Sequence, residues 1–202
     1  MQPLASLPLS VFLEQLAAKQ PTPGGGATAG ATGALACALA EMVVSYSVGK
    51  KSLAQHTALL DDAKQRLPRA REIMLTLAEE DAQAYGLVNE LQKLPESDAR
   101  RVREMPAAAA ASVRVPLAVG ACALDACRVA HTLVGASNQH LRSDLAIAAV
   151  LFGACARSAR WNVVVNVPLL PDERERVKAR EDADSYAAQT AAIAARIEEG
   201  CA

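Results

Sequence analysis

Aromatic side chains are scarce in this sequence: one Trp, two Phe and three Tyr make up 3% of its 202 residues. Its core therefore cannot rest on large rings, and the 51% hydrophobic content comes mainly from Ala, Leu and Val. An excess of charge of one sign is also lacking. The formal net charge is −1, with Lys, Arg, Asp and Glu scattered along the chain, which argues against a basic nucleic-acid footprint and against a polybasic membrane anchor. Histidines number three, and the five cysteines are odd in number and contain no CxxC pair. Such thiols read as reduced core residues of a cytoplasmic protein.

Metal-ligand spacing is missing too. Cys127 and His131, four apart, invite a metal together with His56 or His140, but no spaced set of three or four ligands appears, and core packing is the simpler reading. The segment Ser6 to Ser10 has no basic flank and leads into a helix containing Glu14, unlike a signal peptide. The apolar run Gly24 to Ala40 is rich in Gly, Ala and Thr and stops at Glu41, so it does not read as a membrane span.

What is present is alanine, roughly a fifth of the chain and the best intrinsic helix former. The pattern predicts one all-α domain over 1–202, a bundle of about five or six helices with proline kinks. Leu9, Phe12, Leu13 and Leu16 mark a short amphipathic helix that ends before Pro21. After the turn Pro21 to Gly26, a second helix runs from Ala27 to about Val48, and Ala27, Gly30, Ala31, Ala34 and Ala38 give it a smooth face for close helix approach. A third helical region covers Ala54 to Gln92 with a break near Pro68, and a fourth Ala99 to about Val134 with kinks at Pro106 and Pro116. Ser143 or Asp144 is expected to cap a helix from about Leu145 to Asn162, with Val163 to Val165 as its buried end. Pro168 and Pro171 then open a last helix to about Glu199.

Polar residues that interrupt apolar helical faces are the candidates for chemistry, since an unpaired buried polar group costs about 1–3 kcal/mol. Asn162 and Asn166 share one helix face and could bind a polar heterocycle or simply bond the backbone. Ser143 and Asp144 read as caps, Asp81 as the end of an acidic run, and Lys50 and Lys51 as cations at a helix C-terminus. Gly24, Gly25 and Gly26 could present N–H groups to an anion, without the spacing of a P-loop or a dinucleotide fingerprint.

Taken together, these blocks form a known pattern. Pro21 to Gly26, Glu41-Met42-Val43 and Gly49-Lys50-Lys51 resemble the signature of the methenyltetrahydrofolate cyclohydrolases and of the cyclodeaminase domain of formiminotransferase-cyclodeaminase. Asp81 to Tyr85 is similar to that family's Asp-x-x-Ala-Phe, and Val115-Pro116-Leu117 to its Val-Pro-Leu. Asn138 to Asp144 resembles its Gly-Asn-x-x-x-x-Ser-Asp, and Asn162 to Asn166 its Asn-Val-x-x-Asn. Ala27, Ser137 and His140 depart from the usual residues. The resemblance implies a helical homodimer with folate sites near the subunit interface and no cofactor or metal.

It further implies Asp81, Asp144 and Lys50 as catalytic candidates, with Lys51, Gly24, Gly25, Gly26, Asn138, Ser143, Asn162 and Asn166 as substrate-binding candidates. The activity expected from it is release of ammonia from 5-formiminotetrahydrofolate. The alternatives are cyclohydrolase action on 5,10-methenyltetrahydrofolate and a silent folate-binding or assembly protein.

Overall fold

The computed structural model describes residues 3–202. Among them are six α-helices and no strand: α1 Leu9–Ala17, α2 Gly25–Ser45, α3 Thr57–Gln92, α4 Ala99–Thr132, α5 Arg142–Asn166 and α6 Glu173–Cys201. The all-α bundle expected from the alanine content is therefore observed. Helices α3 and α4 continue as single helices through Pro68, Pro106 and Pro116. A short 3-10 turn over Lys51–His56 replaces the start expected at Ala54, so α3 begins at Thr57.

Side-chain capping fixes where two of the six helices, α4 and α6, start. The Asp98 carboxylate accepts the Arg100 and Arg101 backbone N–H groups, and Asp172 accepts that of Arg174, which satisfies donors with no partner inside the helix. The expected cap at Ser143 or Asp144 is not formed. The 3-10 turn Gln139–Leu141 runs directly into α5, and it is the Asn138 side chain that accepts a backbone N–H, that of His140, at 3.3 Å. Asp144 lies instead in the first turn of α5.

Helix α2 packs closely on α3 and α5. Small side chains permit this. A Cβ on Gly30 would lie 2.8 Å from the Ala78 Cβ and 2.9 Å from the Met74 carbonyl oxygen, so any larger residue would force α2 and α3 apart. Phe152 is the largest fully buried side chain, and around it pack Ala, Val, Leu and Cys from α2 to α6. All five cysteines are unpaired, four of them buried.

Two expectations about surfaces change. Ala27, Gly30 and Ala34 are buried within the chain, and Gly30 packs directly on α3, so this part of the smooth face is used internally. Ala31, Leu35 and Ala38 remain on the outer side of α2, where they line an apolar groove of about 420 Å³ with α1, whose Leu9 and Leu13 are exposed. At the end of α5, Val163 is buried but Val165 is 64% exposed, so that segment is only partly interior. Helices α2 and α4 are long and apolar enough to cross a membrane, yet half or more of their most apolar stretch is buried inside the fold, which accounts for their composition.

Candidate active site

At the N-terminal end of α2, residues from three helices and one turn surround a cleft of about 270 Å³. Its lining comes from Pro21, Thr22 and the three glycines, from Asp81 and Tyr85 on α3, and from Asn162, Val165 and Asn166 on α5. The Thr22–Pro23 peptide in the turn is cis. Asp81 is the buried acid here, with 9% of its surface exposed. A Cβ on Gly26 would overlap the Asp81 carboxyl group, so only glycine at this position lets the carboxylate reach the start of α2.

The electrostatics of Asp81 follow from that setting. Burial disfavours its charge and pushes the carboxyl up to about 6, while the backbone N–H of Ala27 pulls the other way. A carboxyl group poised near neutrality can both take and give a proton at working pH. Asn162 donates its amide N–H to the Ser158 carbonyl at 3.2 Å, and Asn166 donates to the Ser112 carbonyl at 2.9 Å. Both amides therefore bond the backbone and line the cleft as well. Each bond fixes a side-chain rotamer, and the Asn162 carbonyl oxygen lies 3.2 Å from where a Gly25 Cβ would stand.

The remaining candidates gather elsewhere. Lys50 and Lys51 are exposed and line a pocket just beyond the C-terminal end of α2. Asn138, exposed Ser143 and half-buried Asp144 lie at the same end of the bundle. Ser47 joins the two segments: fully buried, it donates to the Val43 carbonyl at 2.6 Å and accepts the Asn138 backbone N–H at 2.9 Å. Asp144 and Asn162 are about 27 Å apart along α5 at 1.5 Å per residue. Within one chain, the eleven candidates thus form two groups, one at each end of α2 and α5.

Sequence reasoning missed Pro21, Thr22, Tyr85 and Val165 as cleft residues and Ser47 as the link between the two segments. Tyr85 and Val165 had a signal: each stands at an apolar position within a motif block already singled out. Ser47 had none, because a single Ser at a helix end carries no pattern until its partners are seen. Among the described residues no three His, Cys, Asp or Glu side chains form a metal-holding group; Cys127 is buried and His131 exposed.

A family profile described as formiminotransferase-cyclodeaminase matches residues 8–185. The chain belongs to the formiminotransferase-cyclodeaminase family. Relatives within the family carry both of its activities in their names. A methenyltetrahydrofolate cyclohydrolase of Methylorubrum extorquens is 29% identical over 195 residues, covering 95% of this chain and 94% of the relative. A formimidoyltransferase-cyclodeaminase of Gallus gallus is 27% identical over 175 residues, 85% of this chain but 32% of that longer protein. The crystal structure of a formiminotetrahydrofolate cyclodeaminase from Thermotoga maritima superposes with a TM-score of 0.88 at 28% identity, covering 98% of this chain and 96% of that one. The family resemblance of the sequence and the helical fold therefore agree.

Proposed function

We propose that the chain is a folate one-carbon enzyme that releases ammonia from 5-formiminotetrahydrofolate to give 5,10-methenyltetrahydrofolate. The observation that carries this reading is Asp81, a buried carboxyl group at the floor of a polar cleft, raised to about 6 and flanked by two fixed amides. In the reaction N10 attacks the formimino carbon, a tetrahedral carbon forms between N5 and N10, and ammonia leaves. One group must take the N10 proton and one must protonate the departing nitrogen, at a carbon that carries positive charge. A carboxylate stabilises that charge, and one near its own pKa can also relay the proton. Asn162 and Asn166 offer amide groups to the edge of the pterin.

The second group of candidates enters this reading through a second copy of the chain. Lys50, Lys51, Asn138, Ser143 and Asp144 are too far from Asp81 to act with it inside one chain. A two-fold dimer that sets the helices of two copies antiparallel brings the Asp144 end of one against the Asp81 end of the other, twice. The apolar groove between α1 and α2 supports association, since Leu9, Leu13 and Leu35 leave a large unpartnered apolar surface. In such a site Lys50 and Lys51 meet the anionic glutamate tail, and Asp144 supplies a second carboxylate at the reacting carbon.

Cyclohydrolase action is the second reading, favoured by the Methylorubrum extorquens relative that matches nearly end to end. There water attacks the methenyl carbon and the ring opens to 10-formyltetrahydrofolate, with the same demand for proton transfer beside a cation. Purified chain assayed on 5-formiminotetrahydrofolate for ammonia, and on 5,10-methenyltetrahydrofolate for loss of its absorbance, separates the two. Ammonia release above the uncatalysed rate supports the first; absorbance loss alone supports the second; neither rejects both. No metal takes part in either scheme, so turnover is expected to survive exhaustive chelation with EDTA, and recovery by added zinc after a loss would contradict this.

A further inference from the structure

The chain contains one tryptophan, Trp161, which precedes the cleft residue Asn162 on α5 and does not itself line the cleft. Helix α5 presents two neighbouring stripes there. Asn162 and Asn166 line the cleft, and one residue earlier in each case come Trp161 and Val165, rotated by about 100° around the helix. Val165 lines the cleft and Trp161 lies one turn before it, 63% exposed. Helix α3 contributes a similar pair, buried Asp81 and, one turn further on, Tyr85, 44% exposed. The cleft thus has a polar floor and an apolar, aromatic rim.

The rim is also braced. The Arg160 guanidinium lies 5.6 Å from the Trp161 ring centroid and is itself paired with Asp184 on α6, which restrains the indole while leaving most of it exposed. A cleft of about 270 Å³ has room for a pterin bicycle but not for a whole folate, whose p-aminobenzoylglutamate portion must leave across the rim. We infer that Trp161, with Tyr85 and Val165, is the subsite for the p-aminobenzoyl ring of the substrate. Flat aromatic surface with a free face is what such a ring stacks on, and this contact forms equally in the bound ground state and the transition state. Trp161 is on this account a binding residue that sets affinity for full-length folates, not a catalytic residue. The inference rests on the folate reading above.

Because Trp161 is the only tryptophan, its fluorescence reports on the rim directly. Saturable quenching by 5-formyltetrahydrofolate, and little by 6-methyltetrahydropterin, which lacks the p-aminobenzoylglutamate portion, is expected of the parent chain. Trp161→Ala should raise KM for the folate substrate roughly fivefold to tenfold, the scale of a lost aromatic contact, with kcat held within about twofold and most of the loss restored in Trp161→Phe. An unchanged KM in Trp161→Ala, or equal quenching by the tetrahydropterin alone, overturns the inference while leaving the folate reading intact. A change in assembly state of Trp161→Ala by light scattering assigns the residue to a protein interface and overturns it as well. A parent chain that neither binds nor converts folates defeats the folate reading itself, and the inference with it.

Discussion

The Asp81 carboxyl group occupies the space that a side chain on Gly26 would take. That relationship joins the glycine turn to the acid on α3, and it makes a two-residue unit of motifs 55 positions apart in sequence. Gly26→Ala should therefore displace Asp81 from the start of α2 and lower turnover by about 10-fold to 100-fold, the scale for a misplaced acid/base group. Steady-state kinetics beside a circular dichroism melt test this; wild-type turnover in a folded Gly26→Ala chain would show that the carboxylate position is unimportant.

Asp81 also couples stability to pH. Its folded-state value of about 6 exceeds the 3.8 of the free side chain, so the folded chain binds the proton more tightly. The resulting stabilisation is complete below about pH 3.8 and is lost as pH rises through about 6, leaving a burial cost of about 3 kcal/mol at neutral pH. Asp81→Asn should consequently abolish most activity while raising stability at pH 8, and the parent pH–rate profile should inflect near pH 6. Urea melts of both proteins at pH 5 and pH 8 measure the difference, which should be larger at pH 8. A variant less stable at both pH values would contradict the account.

Asp144 gives a cleaner separation of roles than the sequence allowed. The residues alone read as a cap and only the family resemblance implied a site role, but the Asn138 side chain bonds the turn before α5 and Asp144 caps nothing. Asp144→Asn should leave the melting temperature nearly unchanged and reduce turnover by about 100-fold or more. A folded variant that keeps most of its turnover on both folate substrates would remove Asp144 from the site.

The helices were legible because Ala-rich periodicity is a local property, and so were the motif blocks. Two things were not. The Ala27, Gly30 and Ala34 face looked equally suited to a partner chain or to α3, since spacing says only that something comes close; Ala78 and Met74 turned out to be that something. The division of the candidates between two ends was hidden because separation in space depends on how α2, α3 and α5 run against one another. Gly25 faces Asn162 while Ser47 bonds Asn138, which makes α2 and α5 antiparallel and puts Asp81 and Asp144 at opposite ends.

The measurement that tests the shared site most directly is complementation between two inactive variants. Asp81→Asn and Asp144→Asn are each expected to be nearly inactive alone. Unfolded together and refolded in equal amounts, they are expected to form mixed dimers in about half of the population, each with one site that carries both carboxylates. Turnover should then recover to roughly a quarter of the parent value, since half the dimers regain one site of two. A mixture that refolds into mixed dimers and stays as inactive as its components would contradict a site built from the Asp81 end of one copy and the Asp144 end of another.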